Sequence, residues 1–319
     1  MKSTKRWFGF PGGSHGGCRK PDRSTSGVRR PPRGKAGWVL FLFLGAGFTI
    51  TQESAPILDR YDLSGNGGSS QDLPRVLQEI SGLASTSDGR LFAHDDERAN
   101  VFQVDPETGE ILKAFSVGLG GTRGDFEGIA IAGERFFLIT SVGQLFEFRE
   151  GEAGATVGFR VYPLNLGLVC EMEGLAFDPG TETLLLPCKN PRSSRLRNHL
   201  VVLSVALESM KLDPNPRIAI PLQELDSRGL DDEFHPSSIE VHPGSGSLVL
   251  VAAREEAMVE LSPQGEILAT EELKRKDHPQ PEGLAFLPDG SLILADEGQG
   301  ERGTITRYLP KVDEGGDIR

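Results

Sequence analysis

The sequence predicts an all-β protein, a five-bladed β-propeller of four-stranded antiparallel blades, and three observations carry this prediction. First, a short phrase occurs five times, as Ser81-Gly-Leu-Ala, Glu127-Gly-Ile-Ala, Glu173-Gly-Leu-Ala, Ser237-Ser-Ile-Glu and Glu282-Gly-Leu-Ala. Second, its copies begin 46, 46, 64 and 45 residues apart, a period typical of propeller blades. Third, short apolar runs alternate with Asp-Gly, Pro-Gly and Thr-Gly turns, which indicates antiparallel meanders.

The strands of each repeat can be assigned in order along the chain. Repeats 1 to 4 each offer four strands, and the outermost are expected at residues 111–117, 157–162, 217–221 and 267–272. The fifth repeat offers only three. An apolar stretch at residues 57–63 precedes the first repeat, and we expect it to supply the missing strand, which closes the ring without an exposed sheet edge. A helical turn is expected at residues 222–230.

The third repeat is longer than the others. Its extra residues lie near 190–198 and 210–216 and are rich in Pro, Ser, Arg or Asn. They are interpreted as loop insertions on the propeller, which either carry function or only decorate the fold.

The first 55 residues differ from the rest in composition. Residues 1–36 are basic and rich in Gly and Pro, which predicts a disordered segment. Residues 38–50 carry no charge, but thirteen residues are fewer than the about 20 needed to span a bilayer. Residues 37–55 are therefore expected to be an export signal, either cleaved near Ser54 or retained as a membrane anchor; a disordered tail or a mistaken start is the alternative. The propeller then covers residues 56–310 and a polar tail covers residues 311–319.

The two parts of the chain carry opposite charges. Residues 1–55 contain ten Lys and Arg and two Asp and Glu, a net charge of +8, and the whole chain carries −12, so the remainder carries −20. Such a body repels nucleic acid and anionic lipid headgroups. We therefore expect no nucleic-acid partner, and contact with a membrane only through the N-terminal segment.

Acidic residues are expected to converge near the propeller axis. Strands 1 and 2 of a blade are antiparallel, so the start of strand 1 and the end of strand 2 lie on the same face. Blades 5, 1 and 2 then form one acidic arc, which suits a hard cation such as Ca²⁺. No His/Cys cluster has the spacing of a softer metal. The candidate metal ligands are Glu127, Glu173, Glu282, Asp125, Glu171, Asp95 and Asp296.

An unidentified ligand or partner protein is expected on the same acidic face. The candidate contacts are Lys189, Arg254, Asp96, Glu297 and His235. Several structural interpretations stay open beside these roles: the glutamates bond backbone N–H groups and lock blade to blade, the loop acids are only solvated, and Lys189 and Arg254 only pair with acids.

Two cysteines lie in the propeller. Cys170 precedes strand 1 of blade 3 and Cys188 ends strand 2 of that blade, so the antiparallel geometry places both on one face. They are a candidate disulfide, the alternative being two free thiols beneath the loops.

The repeated phrases resemble those of the SdiA-regulated (YjiK-like) family. The resemblance covers residues 56–310 and is carried by Glu79-Ile-Ser-Gly-Leu-Ala, Asp125-Phe-Glu-Gly-Ile-Ala, Glu171-Met-Glu-Gly-Leu-Ala-Phe, His235-Pro-Ser-Ser-Ile and Pro281-Glu-Gly-Leu-Ala-Phe. It implies a bacterial protein with an N-terminal export or membrane segment and a five-bladed propeller, distantly related to NHL repeats, that binds calcium. The propeller would then lie outside the cytoplasm, exported across or anchored in the inner membrane. This chain departs from the pattern by having Ser81 and Ser237 where the other repeats have glutamate.

Two functions are compatible with these features. The first is a calcium-binding module that binds a ligand or a protein. The second is a metal-dependent hydrolase of the lactonase, esterase or phosphoesterase kind, in which the cation polarises the substrate and Lys189 or Arg254 holds an anionic group. No nucleophile–base pair is visible in the sequence to favour the enzyme.

Overall fold

The computed structural model describes residues 55–230 and 233–311 of the chain. The expected basic segment, export segment and polar tail therefore lie almost entirely outside the described residues. Over the described part, five small antiparallel sheets contain most of the regular structure. This confirms the all-β fold class and the five blades.

Each blade contains four main strands. Strand β1 (Gly68–Asp72) comes before the first repeat. Blade 1 contains β2 (Ile80–Ser85), β3 (Leu91–Asp95), β4 (Asn100–Val104) and β5 (Ile111–Val117). Blade 2 contains β6 (Phe126–Ala132), β7 (Arg135–Thr140), β8 (Gln144–Phe148) and β10 (Phe159–Pro163), whereas the short β9 (Thr156–Val157) pairs parallel with β5 of blade 1. Blade 3 contains β11 (Cys170–Met172), β12 (Ala176–Asp178), β13 (Thr183–Pro191), β14 (His199–Ala206), the short β15 (Lys211–Leu212) and β16 (Ile218–Pro221).

The last two blades follow after one short helix. Helix α1 (Leu222–Asp226) forms the expected helical turn. Blade 4 contains β17 (Ser238–Val241), β18 (Leu248–Ala252), β19 (Ala257–Leu261) and β20 (Ile267–Glu272), and blade 5 contains β21 (Pro281–Phe286), β22 (Leu292–Asp296) and β23 (Thr304–Tyr308). Three 3₁₀ turns complete the described elements: Leu58–Arg60, Arg75–Leu77 and Leu166–Leu168.

The N-terminal region closes the ring, but with different residues from those predicted. Strand β1 pairs antiparallel with β23 and becomes the fourth strand of blade 5. The predicted segment, residues 57–63, instead buries Ile57, Leu58 and Tyr61 against blades 4 and 5. The apolar stretch is used in the core, whereas β1 is polar and lies at the solvent side of the sheet. Hydrophobicity therefore indicated the wrong segment for the closing strand.

The core consists of five clusters, one between each pair of neighbouring blades. On the second strand of blade 2, Phe137 packs toward blade 3 and Leu138 packs toward blade 1, as alternation along a strand requires. The remaining clusters join blades 3 and 4, 4 and 5, and 5 and 1. The last of these closes the circle, so the first strands of all five blades surround one axis.

Candidate functional site

The five residues that start the repeated phrase form a ring, which we call the axial ring: Ser81, Glu127, Glu173, Ser237 and Glu282. In blades 1, 2 and 5 the pairing of the first two strands shifts register at this residue. Such a β-bulge redirects a side chain and is common next to functional sites. The bulge therefore explains how a residue inside a core strand presents a polar side chain toward the axis.

The glycine that follows the ring residue lets the blades approach one another. A Cβ on Gly128 would lie 2.5 Å from the carbonyl carbon of Gly174, and a Cβ on Gly174 would lie 3.1 Å from the Cα of Ser238. The first contact leaves no room for a side chain; the second is tight, and the positive φ of Gly174, +104°, also disfavours any other residue. The repeated Glu-Gly pair thus combines an axial carboxylate with the close backbone packing that brings these carboxylates together.

The three ring glutamates influence one another strongly. Burial raises the pKa of Glu127 to about 9, assisted by repulsion from Glu173, Asp125 and Glu282. Burial also raises the pKa of Glu282 to about 8, with Glu173 as the largest charged contributor. The pKa of Glu173 is raised by burial although Lys189 opposes it. The acids of blades 2, 3 and 5 therefore lie close enough to repel one another across the axis.

Lys189 lies among these carboxylates. Its Nζ donates a hydrogen bond of 2.7 Å to Oε1 of Glu173. Burial lowers the pKa of Lys189, but the attraction of Glu173, Glu282 and Glu127 more than offsets this, so the pKa is raised overall. Lys189, which the sequence analysis predicts as a ligand contact, therefore places a charged ammonium beside the axial ring.

A second tier of polar residues stands two positions before the axial ring. Its members are Glu79, Asp125, Glu171, His235 and Gln280. Glu171 accepts a hydrogen bond of 2.9 Å from the Asn190 amide, and Asp125 accepts one from the Ser141 hydroxyl. The sequence analysis missed Gln280, although the regular spacing of the repeat places it in this tier. Its amide donates to Glu282 at 3.2 Å and to Glu297.

The acidic arc of blades 5, 1 and 2 is present in the structure. Burial raises the pKa of Asp96, and repulsion from Glu79, Glu97 and Asp125 adds to this effect. Burial likewise raises the pKa of Glu297, followed by repulsion from Asp96 and Glu79. Oδ1 of Asp96 is buried and has no hydrogen-bond partner among the described residues. The arc therefore holds negative charge that the described side chains do not neutralise.

Two predicted metal ligands have other contacts. Asp296 is 1 % exposed, and its carboxylate contacts Nδ1 of His278 at 2.8 Å and the backbone N–H of Gln280. Nε2 of the same imidazole lies 2.6 Å from the Tyr308 hydroxyl. Asp296 is thus part of a buried network within blade 5. Asp95 accepts the backbone N–H of Arg98 at 3.0 Å; burial raises its pKa to about 6, and repulsion from Asp96 adds to this. We leave Asp296 out of the proposed metal set, and Asp95 stays a prediction.

The predicted contacts from blade 4 form a separate group. His235 Nδ1 lies 2.7 Å from Glu255 Oε1, and its backbone N–H donates to the same carboxylate. Arg254 is exposed and lies 3.6 Å from Glu233 and 3.8 Å from Glu255. Over residues 55–230 and 233–311, Glu233, His235 and Glu255 form the one group of acidic or histidine side chains with ligand atoms within 4.8 Å of one another. Arg254 therefore pairs with acids at the rim rather than at the axis.

The contacts of the ring glutamates argue against a role limited to locking the blades. Within the described part of the chain, their carboxylates contact the side chains of Ser81, Lys189 and Gln280 and accept no backbone N–H. The locking bonds come from other groups: the N–H of Gly174 donates to the carbonyl of Glu127, and the Ser237 hydroxyl donates to the carbonyl of Pro281 at 2.6 Å.

The donor set of the axial ring suits a hard cation. It offers carboxylate oxygens from Glu127, Glu173 and Glu282 and the hydroxyl of Ser81, which lies 3.3 Å from Glu127. Oxygen donors of this kind are those that Ca²⁺ takes. The ring glutamates are spaced more widely than the His235 group, so they would have to draw together around an ion.

A pocket of about 330 Å³ opens beside the ring, between blades 3 and 4. Lys189 and His235 both line it, with Arg197 and His199. The structure therefore brings two of the predicted ligand contacts to one pocket, whose lysine and arginine suit an anionic group.

Cys170 and Cys188 form a disulfide, with their Cα atoms 5.7 Å apart. It joins β11 to β13 of blade 3, and Cys188 directly precedes Lys189 in the sequence. In residues 55–230 and 233–311, no helix has the length and apolarity that crossing a membrane requires.

Three solved structures of known proteins align with the chain, and the first of them supports the fold. A luciferin-regenerating enzyme aligns over 79 % of this chain and 100 % of its own, with a TM-score of 0.50 and 10 % identity. A glutaminyl cyclase from Myxococcus xanthus aligns over 77 % and 96 %, with a TM-score of 0.49 and 14 % identity. A PQQ-bound aldose sugar dehydrogenase from Streptomyces coelicolor aligns over 76 % and 98 %, with a TM-score of 0.49 and 14 % identity. At such identities the likeness is one of fold alone.

Sequence comparison gives a match to one family over part of the chain. No curated protein matches the chain. The model of the family described as SdiA-regulated matches residues 209–307, which contain the end of blade 3, all of blade 4 and most of blade 5. The chain therefore carries a match to the SdiA-regulated family over these residues, which confirms the resemblance that the repeated phrase indicated.

Proposed function

We propose that this protein is an exported or membrane-anchored calcium-binding propeller that binds an anionic ligand next to its axial ring. The observation that supports this most is the convergence of Glu127, Glu173 and Glu282 around a single ammonium, that of Lys189. When all three carboxyls are ionised, they and the one ammonium carry a formal charge of −2, which one divalent cation neutralises. Calcium would supply that charge and accept several oxygen ligands at once.

The raised pKa values support the same proposal. A carboxyl that is buried among like charges either takes up a proton or attracts a cation. Without a bound ion, the pKa of Glu127 is raised to about 9 and that of Glu282 to about 8, so both carboxyls hold their protons at neutral pH. A bound cation would replace these protons and remove the repulsion.

Export is supported by the disulfide. Cys170 and Cys188 are bonded in blade 3, and structural disulfides persist mainly in oxidising compartments outside the cytoplasm. This agrees with the uncharged stretch at residues 38–50, which lies outside the described residues.

The ligand would enter the pocket between blades 3 and 4. Lys189 faces both this pocket and Glu173, so it links the pocket to the proposed ion site. Together with Arg197 it would bind a carboxylate or phosphate group. Calcium would then organise the site by fixing the position of the glutamates that hold Lys189.

A metal-dependent hydrolase is the second candidate, and the surroundings of Glu127 favour it. A carboxyl with a strongly raised pKa near an ammonium is typical of catalytic sites as well as of ion sites. Here Glu127 would donate a proton to a leaving group while Lys189 holds the substrate anion. The substrate classes that fit are lactones, esters and phosphoesters.

Calcium titration of the chelator-treated protein tests the proposal. At a calcium concentration of 100 Kd, binding to the folded state adds about 2.7 kcal/mol, which corresponds to a rise in Tm of roughly 5–10 °C for a domain of this size. Glu127→Gln should remove most of this rise. Glu134→Gln, at an exposed position paired with Arg149, is the matched control and should keep it.

Turnover assays separate the two candidate functions. Lactone, ester and phosphoester substrates are offered with calcium or with chelator. Calcium-dependent stability without turnover supports the binding module, whereas turnover that Glu127→Gln abolishes in a stable protein supports the hydrolase. If calcium changes neither Tm nor activity, the ion site itself is wrong.

A further inference from the structure

The fourth residue of the repeated phrase breaks its own pattern in blade 4. This residue is alanine in repeats 1, 2, 3 and 5, at Ala84, Ala130, Ala176 and Ala285. In repeat 4 it is Glu240. In each blade this position lies three residues along the first strand from the axial ring, which is about 10 Å farther along the axis. A single carboxylate thus replaces an alanine in the inner wall of the propeller.

Glu240 lines a second pocket, which we call the distal pocket. Its volume is about 610 Å³, within the range of small-molecule sites. Its walls come from the ends of the first strands and the turns that follow them in all five blades, so it lies at the end of the axis opposite to the axial ring. Its apolar lining includes Ala84, Ile131, Phe177, Val241 and Phe286.

The carboxylate has little to neutralise it within the protein. One oxygen of Glu240 accepts the backbone N–H of Val241 at 2.8 Å, and no Lys, Arg or His of the described residues forms an ion pair with it. Arg90, also at the wall of the pocket, is already paired with Asp88 at 3.0 Å and Glu150 at 2.6 Å. Burial raises the pKa of Glu240 to about 8, as expected for a carboxyl without a partner cation.

We propose that the distal pocket binds an organic amine, a small molecule whose ammonium group pairs with Glu240 and whose aromatic or aliphatic body fills the apolar walls. Asp88, the other acid at the wall, is paired with Arg90, so Glu240 is the one acid among the described lining residues without a partner cation. Two carboxylates do not supply the six or more oxygens that a calcium ion takes, whereas Glu240 alone is sufficient for one ammonium. The rings of Phe177 and Phe286 add apolar surface and can contact a cation. This site is independent of the calcium site, because it uses different residues at the opposite end of the axis.

The test uses 2-phenylethylammonium as the probe, with the full chain and isothermal titration calorimetry at millimolar concentrations. The neutral analogue 2-phenylethanol shows whether the positive charge matters. Glu240→Ala places the residue of the other four repeats at this position and should fold at least as well. Glu240→Gln keeps the shape and removes the charge. Glu152→Ala, at an exposed position outside the pocket, is the matched control.

The amine should bind with one site per chain. Glu240→Ala and Glu240→Gln should each weaken binding at least about tenfold, the loss expected for a charged hydrogen bond, whereas Glu152→Ala should not change it. Failure of the wild-type chain to bind the probe, or equal binding by Glu240→Ala, would overturn the proposal. Repeating the titration with chelator distinguishes this result from the calcium proposal, since amine binding should persist when calcium is removed.

Discussion

Nζ of Lys189 lies 2.7 Å from Oε1 of Glu173, so the third blade brings a cation of its own into the ring of glutamates. That ammonium lowers the pKa of Glu127 only as the last of several contributions, after burial and three acids have raised it. One ammonium therefore does not neutralise the axial ring. The pair explains why the ring can form, and under the proposed function the acidity that remains would attract a cation.

Replacing Lys189 by methionine should increase the affinity for calcium. The substitution roughly keeps the length of the side chain and removes its charge. The formal charge of the fully ionised ring therefore changes from −2 to −3. At about 4 Å, two unit charges interact by about 4 kcal/mol at the effective dielectric constant of about 20 that is typical near a protein surface. We therefore expect calcium affinity to rise at least about tenfold and the Tm in chelator to fall. Calorimetric titration measures the first and thermal unfolding the second.

Lys276→Met is the control for this substitution. Its side chain is 74 % exposed, so its charge acts on the ring only through solvent and the calcium affinity should stay unchanged. Lower calcium affinity in Lys189→Met would contradict the expectation that the positive charge of Lys189 opposes binding of the ion.

Stability without calcium should decrease as the pH rises from about 5 to 9. The pKa values of Glu127 and Glu282 are raised from 4.5 to about 9 and about 8. Across that interval the folded chain holds protons that the unfolded chain has released, so each rise in pH favours unfolding. The increase in Tm produced by calcium should accordingly grow with pH, because the ion replaces these protons. Thermal unfolding at several pH values, with chelator and with calcium, measures both trends.

Glu127→Gln provides the comparison for the pH series. An amide does not titrate, so the decrease in Tm with pH should be smaller in this variant. An unchanged slope would mean that the axial carboxyls are not the groups that titrate.

The axial ring could be predicted from the sequence because repetition determines geometry. Five copies of one phrase on equivalent strands must face one axis, so Glu127, Glu173 and Glu282 were identified without coordinates. The same regularity indicated Lys189, which lies on the neighbouring strand at the same face. Spacing would also have identified Gln280, which takes the place of Glu79 and Asp125 in the second tier.

Two sequence-based predictions are wrong, and in both the direction or the burial of side chains decides what the residues do. Asp296 ends the second strand of its blade, as predicted, but its carboxylate faces His278 inside the blade, and strand position alone does not show this. The closing strand was assigned to residues 57–63 because they are apolar, yet Gly68–Asp72 forms it. An edge strand needs only free backbone groups, so hydrophobic pattern does not reveal it.

Gly128→Ala should disrupt the packing of blade 2 against blade 3. The new Cβ would lie 2.5 Å from the carbonyl carbon of Gly174, and backbone cannot move aside as a flexible side chain does. We expect a loss of about 3 kcal/mol or more in the free energy of unfolding and weaker calcium binding, since the ring residues of the two blades would separate. Gly158→Ala, where a Cβ meets nothing within 4 Å, should change neither property. Equal stability of the two variants in urea would contradict the role assigned to the repeated glycine.

Asp296→Asn should lower stability and leave calcium binding unchanged. The carboxylate is 1 % exposed and holds His278, whose other nitrogen contacts Tyr308. Loss of a charged partner in a buried network costs about 1–3 kcal/mol, a decrease in Tm of roughly 3–10 °C for this domain size.

Tyr308→Phe tests the same network from its other end. It deletes only the hydroxyl that lies 2.6 Å from His278. Neither residue is a proposed calcium ligand, so the substitution should also lower Tm while calcium affinity is kept. If Asp296→Asn instead lost calcium affinity while Tyr308→Phe kept it, Asp296 would act on the ion rather than on the fold. Calorimetric titration of both variants at equal temperature, well below their Tm, separates these outcomes, because a purely structural role predicts the same affinity for both.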